Sequence, residues 1–408
     1  MKILFLTLLD IENLNEHGIY HDLLREFIKN GHEVTVITIR EKNKNQPTEL
    51  VKQENVKFLY IKTGNITKTN FLEKGLTTFF LPYVIISKIK KYIKDNEYDL
   101  LIYSTPPVTF SKVVDYLKKQ KKLKTYLLLK DIWPQSLVDL EVLKRKSLIY
   151  SFFKKKEKKL YEQSDHIGCM SQANVDYLLK HNPWIAPEKV EICPNSIEPI
   201  TIEKNGTMLQ KVREKYGIPT DKTIFIYGGN LGKPQGMEHI ISCLKACAGH
   251  PKAYFVIAGS GTEYPKLKAF LDQTPLSNVR LLYQLPKEDY ELLANTCDVG
   301  LIFLDHRFTI PNFPSRLLSY MQASMPVLAC TDVNTDIGKL IEEGQFGHWC
   351  ESREPEKFKE KIDQLCAEKE KLPEMGKNAR SYLEAHYTVD QAYEIIMKHF
   401  EQEGPSHV

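Results

Sequence analysis

The chain has 408 residues, of which 42% are hydrophobic, 26% charged and 10% aromatic. That suits two or three globular domains and excludes collagen-like, low-complexity and disordered chains. The formal net charge of +4 conceals an asymmetry, because residues 51–170 hold 24 basic and 12 acidic side chains. Such a patch reads either as a basic surface facing nucleic acid or an anionic membrane, or as solvated lysine-rich helix faces.

Apolar runs alternate with amphipathic segments along the chain. Strands are predicted at residues 3–9, 32–38, 56–61, 100–103, 125–129, 166–170 and 190–193, with a helix at 17–30 stopped by Gly31. The run at 76–87 is broken by Pro82 and followed by Lys88, Lys90 and Lys91. A membrane span needs about 20 apolar residues, so none is expected. The opening residues read as a buried strand rather than a signal peptide. Periodicity stops at 193–199, where Pro194 and Pro199 stand, and then restarts. Further strands are predicted at 223–227, 253–258, 279–283, 299–303 and 326–329, with helices from Met237 and at 313–322 and a terminal helix over 378–400. Strand–helix alternation of this kind gives parallel sheets covered on both faces. The expected organisation is two doubly wound α/β domains, residues 1–195 and 196–385, with residues 386–408 packing back on the first. Ligands in such sheets sit at the carboxyl ends of the strands, so the cleft between the domains is the expected site.

Eight cysteines are scattered without a C-x-x-C pair. Cys243 and Cys247 stand i,i+4 with no histidine evident beside them, a weak zinc signal. Reduced buried thiols and no metal are therefore expected.

Candidate chemistry lies at a few strand ends. Gly228, Gly229, Asn230, Lys233 and Gln235 form a glycine-rich turn between a strand and a helix, suited to a phosphate. The turn matches neither G-x-G-x-x-G nor a Walker loop, and an ordinary strand–helix turn is the plainer reading. Gly259 and Gly261 end the next strand. Ser315 and Arg316 fall in the first turn of a helix opened by Pro314. A cation there is unfavourable for the helix dipole unless an anion binds; pairing with Asp305 is the alternative. In the first half, Lys130, Asp131 and Trp133 follow a strand, His17 and Gly18 open the first helix, and Ser104 ends the fourth strand. Asp131 also suits a turn before Pro134.

Together, Met1-Lys2-Ile3-Leu4, Lys130-Asp131-Ile132-Trp133-Pro134, Pro194-Asn195-Ser196-Ile197, Gly228-Gly229-Asn230-Leu231, Gly259-Ser260-Gly261 and Pro314-Ser315-Arg316-Leu317-Leu318-Ser319-Tyr320 resemble the retaining family 4 glycosyltransferases over nearly the whole chain. The likeness is to the capsule and O-antigen branch that includes amino-sugar transferases. It implies a GT-B fold and transfer of a sugar, an N-acetylated or deoxy hexose, from a UDP-linked donor with retention and no metal or other cofactor. The implied acceptor is an undecaprenyl-diphosphate-linked or saccharide molecule. On this resemblance Lys233 and Arg316 serve the leaving diphosphate, and Asp131 and Lys130 serve the acceptor hydroxyl. Donor contacts would come from Gly228, Gly229, Asn230, Gln235, Gly259, Gly261, Tyr283, Leu285, Ser315, Ser319 and Tyr320, and acceptor contacts from His17, Gly18, Ser104 and Trp133. The chain departs from the family at Asn230 and Gln235, where the Arg/Lys phosphate clamp stands, and at Pro311 and Ser319, where two glutamates stand. Basic, aromatic-bearing residues 79–94 and 144–159 would then meet an anionic membrane on its cytoplasmic face. Nucleic acid is not expected, since the lysines lack interleaved stacking aromatics. An epimerase of the same architecture and a non-catalytic binding relative are the competing readings.

Overall fold

The computed structural model describes residues 1–400 except 54, 67, 68, 70, 95, 96 and 202–205. The chain divides into two units, Met1–Glu198 joined by the segment from Val389, and Pro199–Thr388. These boundaries fall three residues beyond the expected ones.

The first unit holds an eight-stranded sheet of β1 (Lys2–Leu6), β2 (Glu33–Glu41), β3 (Glu49–Gln53), β4 (Val56–Thr63), β5 (Leu100–Ser104), β6 (Lys124–Leu129), β7 (His166–Cys169) and β8 (Val190–Ile192). Their order is β3-β4-β2-β1-β5-β6-β7-β8. All neighbours are parallel except β3, which pairs antiparallel with β4 at the edge. Successive side chains of a strand point to opposite faces. Leu4, Ile37, Leu59, Leu101 and Leu127 thus enter one core, and Phe5, Val36, Phe58, Ile102 and Tyr126 the other. Both faces are covered, so the strands read as continuous apolar runs. Each such side chain contributes about 1.5–3 kcal/mol on burial.

The first helix, Ile19–Lys29, buries Leu23, Leu24 and Phe27. Gly31 beyond it has φ +79°, a left-handed stop that glycine adopts without strain. The helix Val389–Met397 packs on the same layer. Tyr393 stands edge-on to Phe27 at 5.3 Å and shares a 2.8 Å hydrogen bond with the His32 ring. The expected single helix over 378–400 is in fact two, Leu372–His386 and Val389–Met397. The break falls at the passage between units, a division that amphipathic periodicity does not register. Residues 401–408 of the expected terminal segment lie outside the described residues.

The second unit holds a six-stranded parallel sheet. Its strands are β9 (Thr223–Asn230), β10 (Ala253–Ser260), β11 (Val279–Leu282), β12 (Val299–Phe303), β13 (Val327–Thr331) and β14 (Gly347–Glu351), in the order β11-β10-β9-β12-β13-β14. Phe225, Tyr227, Phe255, Leu301 and Leu328 lie in its main core. The strand order reverses between β9 and β12, and in the first unit between β1 and β5. In open α/β sheets the crevice at the carboxyl ends of such a reversal is where ligands bind. No helix among the described residues is long and apolar enough to cross a membrane.

Candidate active site

The second unit builds a cradle from β9 and β10. Strand β9 runs straight into the glycine turn and ends at Asn230. Gly229 has φ +121°, and a Cβ on Gly259 would stand 1.9 Å from the Gly229 carbonyl oxygen. Only glycines allow two strand ends to approach so closely and still turn away. The helix Met237–Ala246 follows the turn, its first backbone N–H groups unpaired within the helix as at any helix start.

Arg316 opens the helix Arg316–Gln322, as the sequence indicates. Its Nη1 donates to the Gly228 carbonyl at 2.6 Å, and its guanidinium lies 4.1 Å from the centre of the Tyr227 ring. Asp305 does not pair with it. That carboxylate takes Arg307 instead, through Nε at 2.9 Å and Nη2 at 2.8 Å. The guanidinium is thus fixed over the glycine turn by a carbonyl and an aromatic face, neither of which neutralises it. A fixed planar cation beside backbone turned for close approach suits a phosphate oxygen. Lys233 is exposed in the short 3-10 turn Lys233–Gln235 just beyond.

Several of the expected donor residues make structural contacts. Gln235 is buried, and its Oε1 accepts from the Gly232 N–H at 3.0 Å and from Asn230 Nδ2 at 3.4 Å. It braces the loop. Tyr320 is likewise buried, its single hydroxyl proton shared between the carbonyls of Ile226 in β9 and Leu301 in β12, each 3.1 Å away. A Cβ on Gly228 would collide with Tyr290, and one on Gly261 with the Leu231 carbonyl, so both positions serve chain packing. Asn230, Ser315 and Ser319 are exposed near the turn, and Pro311 is buried. Tyr283 is exposed and edge-on to Tyr264, Leu285 is half-buried, and Ser260 Oγ donates to the side chain of Gln284.

In the first unit the candidates gather at the carboxyl ends of β1, β5 and β6. Lys130 follows β6 half-buried, and its Nζ donates to the Cys193 carbonyl at 3.4 Å. Desolvation lowers its amine to about 8, against weaker opposing effects of the Cys193 and Cys169 thiols. Asp131 reaches solvent, yet desolvation raises its carboxyl to about 6, which still leaves it charged at neutral pH. Thr105 Oγ1 ties this loop to β5, accepting from the Lys130 N–H at 3.2 Å and donating to the Asp131 carbonyl at 3.4 Å. Ser104 is buried and engages Tyr20, whose hydroxyl burial raises to about 12. Trp133 is half-buried and edge-on to Phe153 at 4.3 Å.

Gly18 precedes the first helix, as expected. Its φ of 165° is extended backbone open to any residue, so no conformational need for glycine exists there. Asp22 and Arg25 do the organising that the sequence reading missed. The Asp22 carboxylate, nearly fully buried, accepts from the Gly18 N–H at 3.0 Å, the Glu198 N–H at 2.8 Å and Arg25 Nη2 at 2.6 Å. Arg25 also reaches the Glu16 carbonyl at 2.8 Å and shares a 3.3 Å contact with the exposed His17 ring. Tyr227 was equally missed. Its one signal is a tyrosine placed directly before the Gly228-Gly229 turn.

The two doubly wound parallel sheets give the chain the GT-B fold. Residues 19–199 match the family described as Glycosyltransferase Family 4, and residues 209–382 match Glycosyl transferases group 1. The chain therefore carries a family 4 domain followed by a group 1 glycosyltransferase domain. It is 24% identical over 325 residues to "Probable glycosyltransferase WbjE" of Pseudomonas aeruginosa, covering 79% of this chain and 78% of that protein. Among solved structures, sucrose-phosphate synthase from Thermosynechococcus elongatus superposes with a TM-score of 0.72 at 15% identity, covering 98% of this chain and 99% of that one. Anabaena HepE in complex with UDP superposes with a TM-score of 0.69 at 16% identity, covering 98% and 100%.

Proposed function

We propose that the chain transfers a sugar from a UDP-linked donor to a membrane-borne acceptor with retention, in the assembly of a surface polysaccharide. The observation that carries this reading is the Arg316 guanidinium held over the glycine turn by Gly228 and Tyr227. The HepE structures contain UDP and UDP-glucose, which favours UDP. The colanic acid biosynthesis name of the relative WcaI of Escherichia coli and the lipopolysaccharide biosynthesis title of the WaaG structure favour a polysaccharide product.

In this reading the donor diphosphate lies on the second unit. Gly229, Lys233 and Arg316 stabilise the charge that develops on the leaving nucleoside diphosphate as the bond from the anomeric carbon to the phosphate oxygen breaks. Electrostatic stabilisation of this kind is often the largest catalytic contribution, and no metal is invoked for it. The acceptor lies on the first unit. Asp131 orients its hydroxyl, and Lys130 supplies positive charge beside it. An epimerase of this architecture would instead convert a sugar nucleotide in the absence of any acceptor.

The first unit also supports a membrane-facing role. Phe79 of the helix Phe71–Tyr92 lies 5.9 Å from Phe152 of the helix Leu148–Gln163, so the two helices share one surface. Leu76, Phe79, Phe80, Tyr83, Leu148 and Ile149 are exposed there, Leu148 by 89%. Residues 79–94 carry four lysines and no acidic residue, and residues 144–159 carry eight basic side chains and one acidic. An open groove of about 760 Å³ beside them is lined by Tyr83, Lys90, Lys91, Lys112 and Lys119, among others. Each lysine or arginine near an anionic bilayer contributes about 1 kcal/mol, and exposed aromatics settle at the interface.

A thermal-shift panel of UDP, GDP and ADP with their sugars tests the donor assignment. Stabilisation by UDP compounds at concentrations where GDP and ADP give none is expected. A response to GDP alone would reverse the nucleotide, and no response to any would remove the donor site.

A further inference from the structure

Within the second unit three sulfur and nitrogen side chains converge, with a fourth beside one of them, that the glycosyl-transfer reading does not use. His239 and Cys243 stand i,i+4 on one face of the helix Met237–Ala246. Cys330 and Cys350 face each other directly across β13 and β14. His239 Nε2 lies 3.0 Å from Cys330 Sγ and 3.2 Å from Cys243 Sγ, and Cys350 Sγ lies 3.4 Å from Cys330 Sγ. The ligand atoms of His239, Cys243 and Cys330 all lie within 4.8 Å of one another. The three thiols are buried and unbridged, and His239 is half-buried.

From these residues we infer a structural zinc site, His239–Cys243–Cys330–Cys350, within the second unit. Three cysteines and one histidine are an established ligand set for closed tetrahedral zinc. Zn–S bonds of about 2.3 Å and a Zn–N bond of about 2.0 Å place neighbouring ligand atoms about 3.5–3.8 Å apart in a tetrahedron. The His239–Cys330, His239–Cys243 and Cys330–Cys350 separations need to open by about 0.3–0.5 Å, while Cys350, which lies outside the group whose atoms are all within 4.8 Å, must swing towards His239 and Cys243 to close the set. Desolvation holds His239 neutral, with its pKa lowered to about 4, the form a metal requires. The thiols are pushed upward, Cys350 chiefly by its neighbour Cys330 and Cys330 chiefly by burial, so zinc must displace their protons. Up to three protons leave as three Zn–S bonds form, and apparent affinity rises with pH. Lys361, near Cys350, offsets part of the resulting negative charge.

Such an ion would join the helix that follows the glycine turn to the sheet's far side, β13 and β14. The sequence hid this set because the eye pairs Cys243 with Cys247. The true partners lie four residues upstream and about 90 and 110 residues downstream, brought together only by the helix period and the strand register.

The test uses the full reduced chain. Metal content should be close to one zinc per chain after exhaustive dialysis, and a thiol-blocking mercurial should release it. Cobalt(II) added to the metal-stripped chain should give thiolate charge-transfer absorption and intense tetrahedral visible bands. C243S and C330S should each lose the zinc and those bands, with far-ultraviolet circular dichroism reporting whether the chain still folds. H239C, which keeps a metal ligand at its position, should retain the bands and controls for fold loss. A chain with no retained metal and no cobalt thiolate bands overturns the site, as does a Cys330–Cys350 disulfide in the freshly purified protein. Neither outcome bears on nucleotide binding, which is read separately by calorimetry.

Discussion

Replacing Lys130 with methionine should make the protein more stable and less active. Desolvation lowers the Lys130 amine from 10.5 to about 8. A shift of about 2.5 units means that the folded state holds this proton less tightly than the unfolded chain, at a cost of about 3 kcal/mol near neutral pH. The side chain still reaches solvent, so roughly 1–3 kcal/mol is the expected gain on removing the charge. The sign follows from proton counting. Between about pH 8 and about pH 10.5 the unfolded chain binds the extra proton, so wild-type stability rises with pH across that window. K130M lacks this rise, and its advantage should fade towards zero at the alkaline end. Urea unfolding of both proteins, followed by circular dichroism at several pH values, measures the difference, and a transfer assay measures the lost activity. If K130M were less stable at neutral pH, the 3.4 Å bond to the Cys193 carbonyl would outweigh the desolvation, and Lys130 would be a structural residue. A stability gain that stayed constant with pH would also refute the argument.

The remaining predictions concern the neighbouring carboxylate and the basic surface. With the Asp131 carboxyl at about 6, kcat/KM should fall as pH drops through that value, and D131N should be slow with that limb absent; an unshifted profile in D131N would remove Asp131 from the reaction. Replacing Phe79, Phe80, Leu148 and Ile149 with serine, or Lys154, Lys155 and Lys156 with glutamate, should reduce sedimentation with anionic liposomes. Wild-type binding should weaken with added salt, while UDP affinity stays the same in all variants. Salt-independent binding would point to the apolar residues alone.

The fold was largely legible because strands covered on both faces leave uninterrupted apolar runs, as at Leu100–Ser104 and Val299–Phe303. Two less buried strands were not, although half-buried β11, Val279–Leu282, was. Edge strand β3, Glu49–Gln53, alternates too few apolar side chains to register, and β14, Gly347–Glu351, is only partly buried. Pro82 reads as a break, yet it lies inside the continuous helix Phe71–Tyr92. At the candidate site, Arg316 and the glycine turn could be read because backbone chemistry restricts the residue types there. Gln235 and Tyr320 entered as ligand contacts through the family resemblance, which carries no mark of where a side chain's hydrogen bond goes in this chain. Asp22 and Arg25 were passed over for the opposite reason. Charged residues on an amphipathic helix look solvated until the helix is seen to turn one of them inward onto Glu198 and Gly18.

The central claim is that Arg316, fixed at the glycine turn, binds a nucleoside diphosphate. Titration calorimetry of UDP into the wild-type chain and R316A tests it most directly. Losing charge-assisted hydrogen bonds worth about 2–3 kcal/mol should weaken binding by about thirtyfold or more, with the thermal midpoint of the unliganded variant near that of the wild type. Equal affinity for UDP in the two proteins would contradict the account.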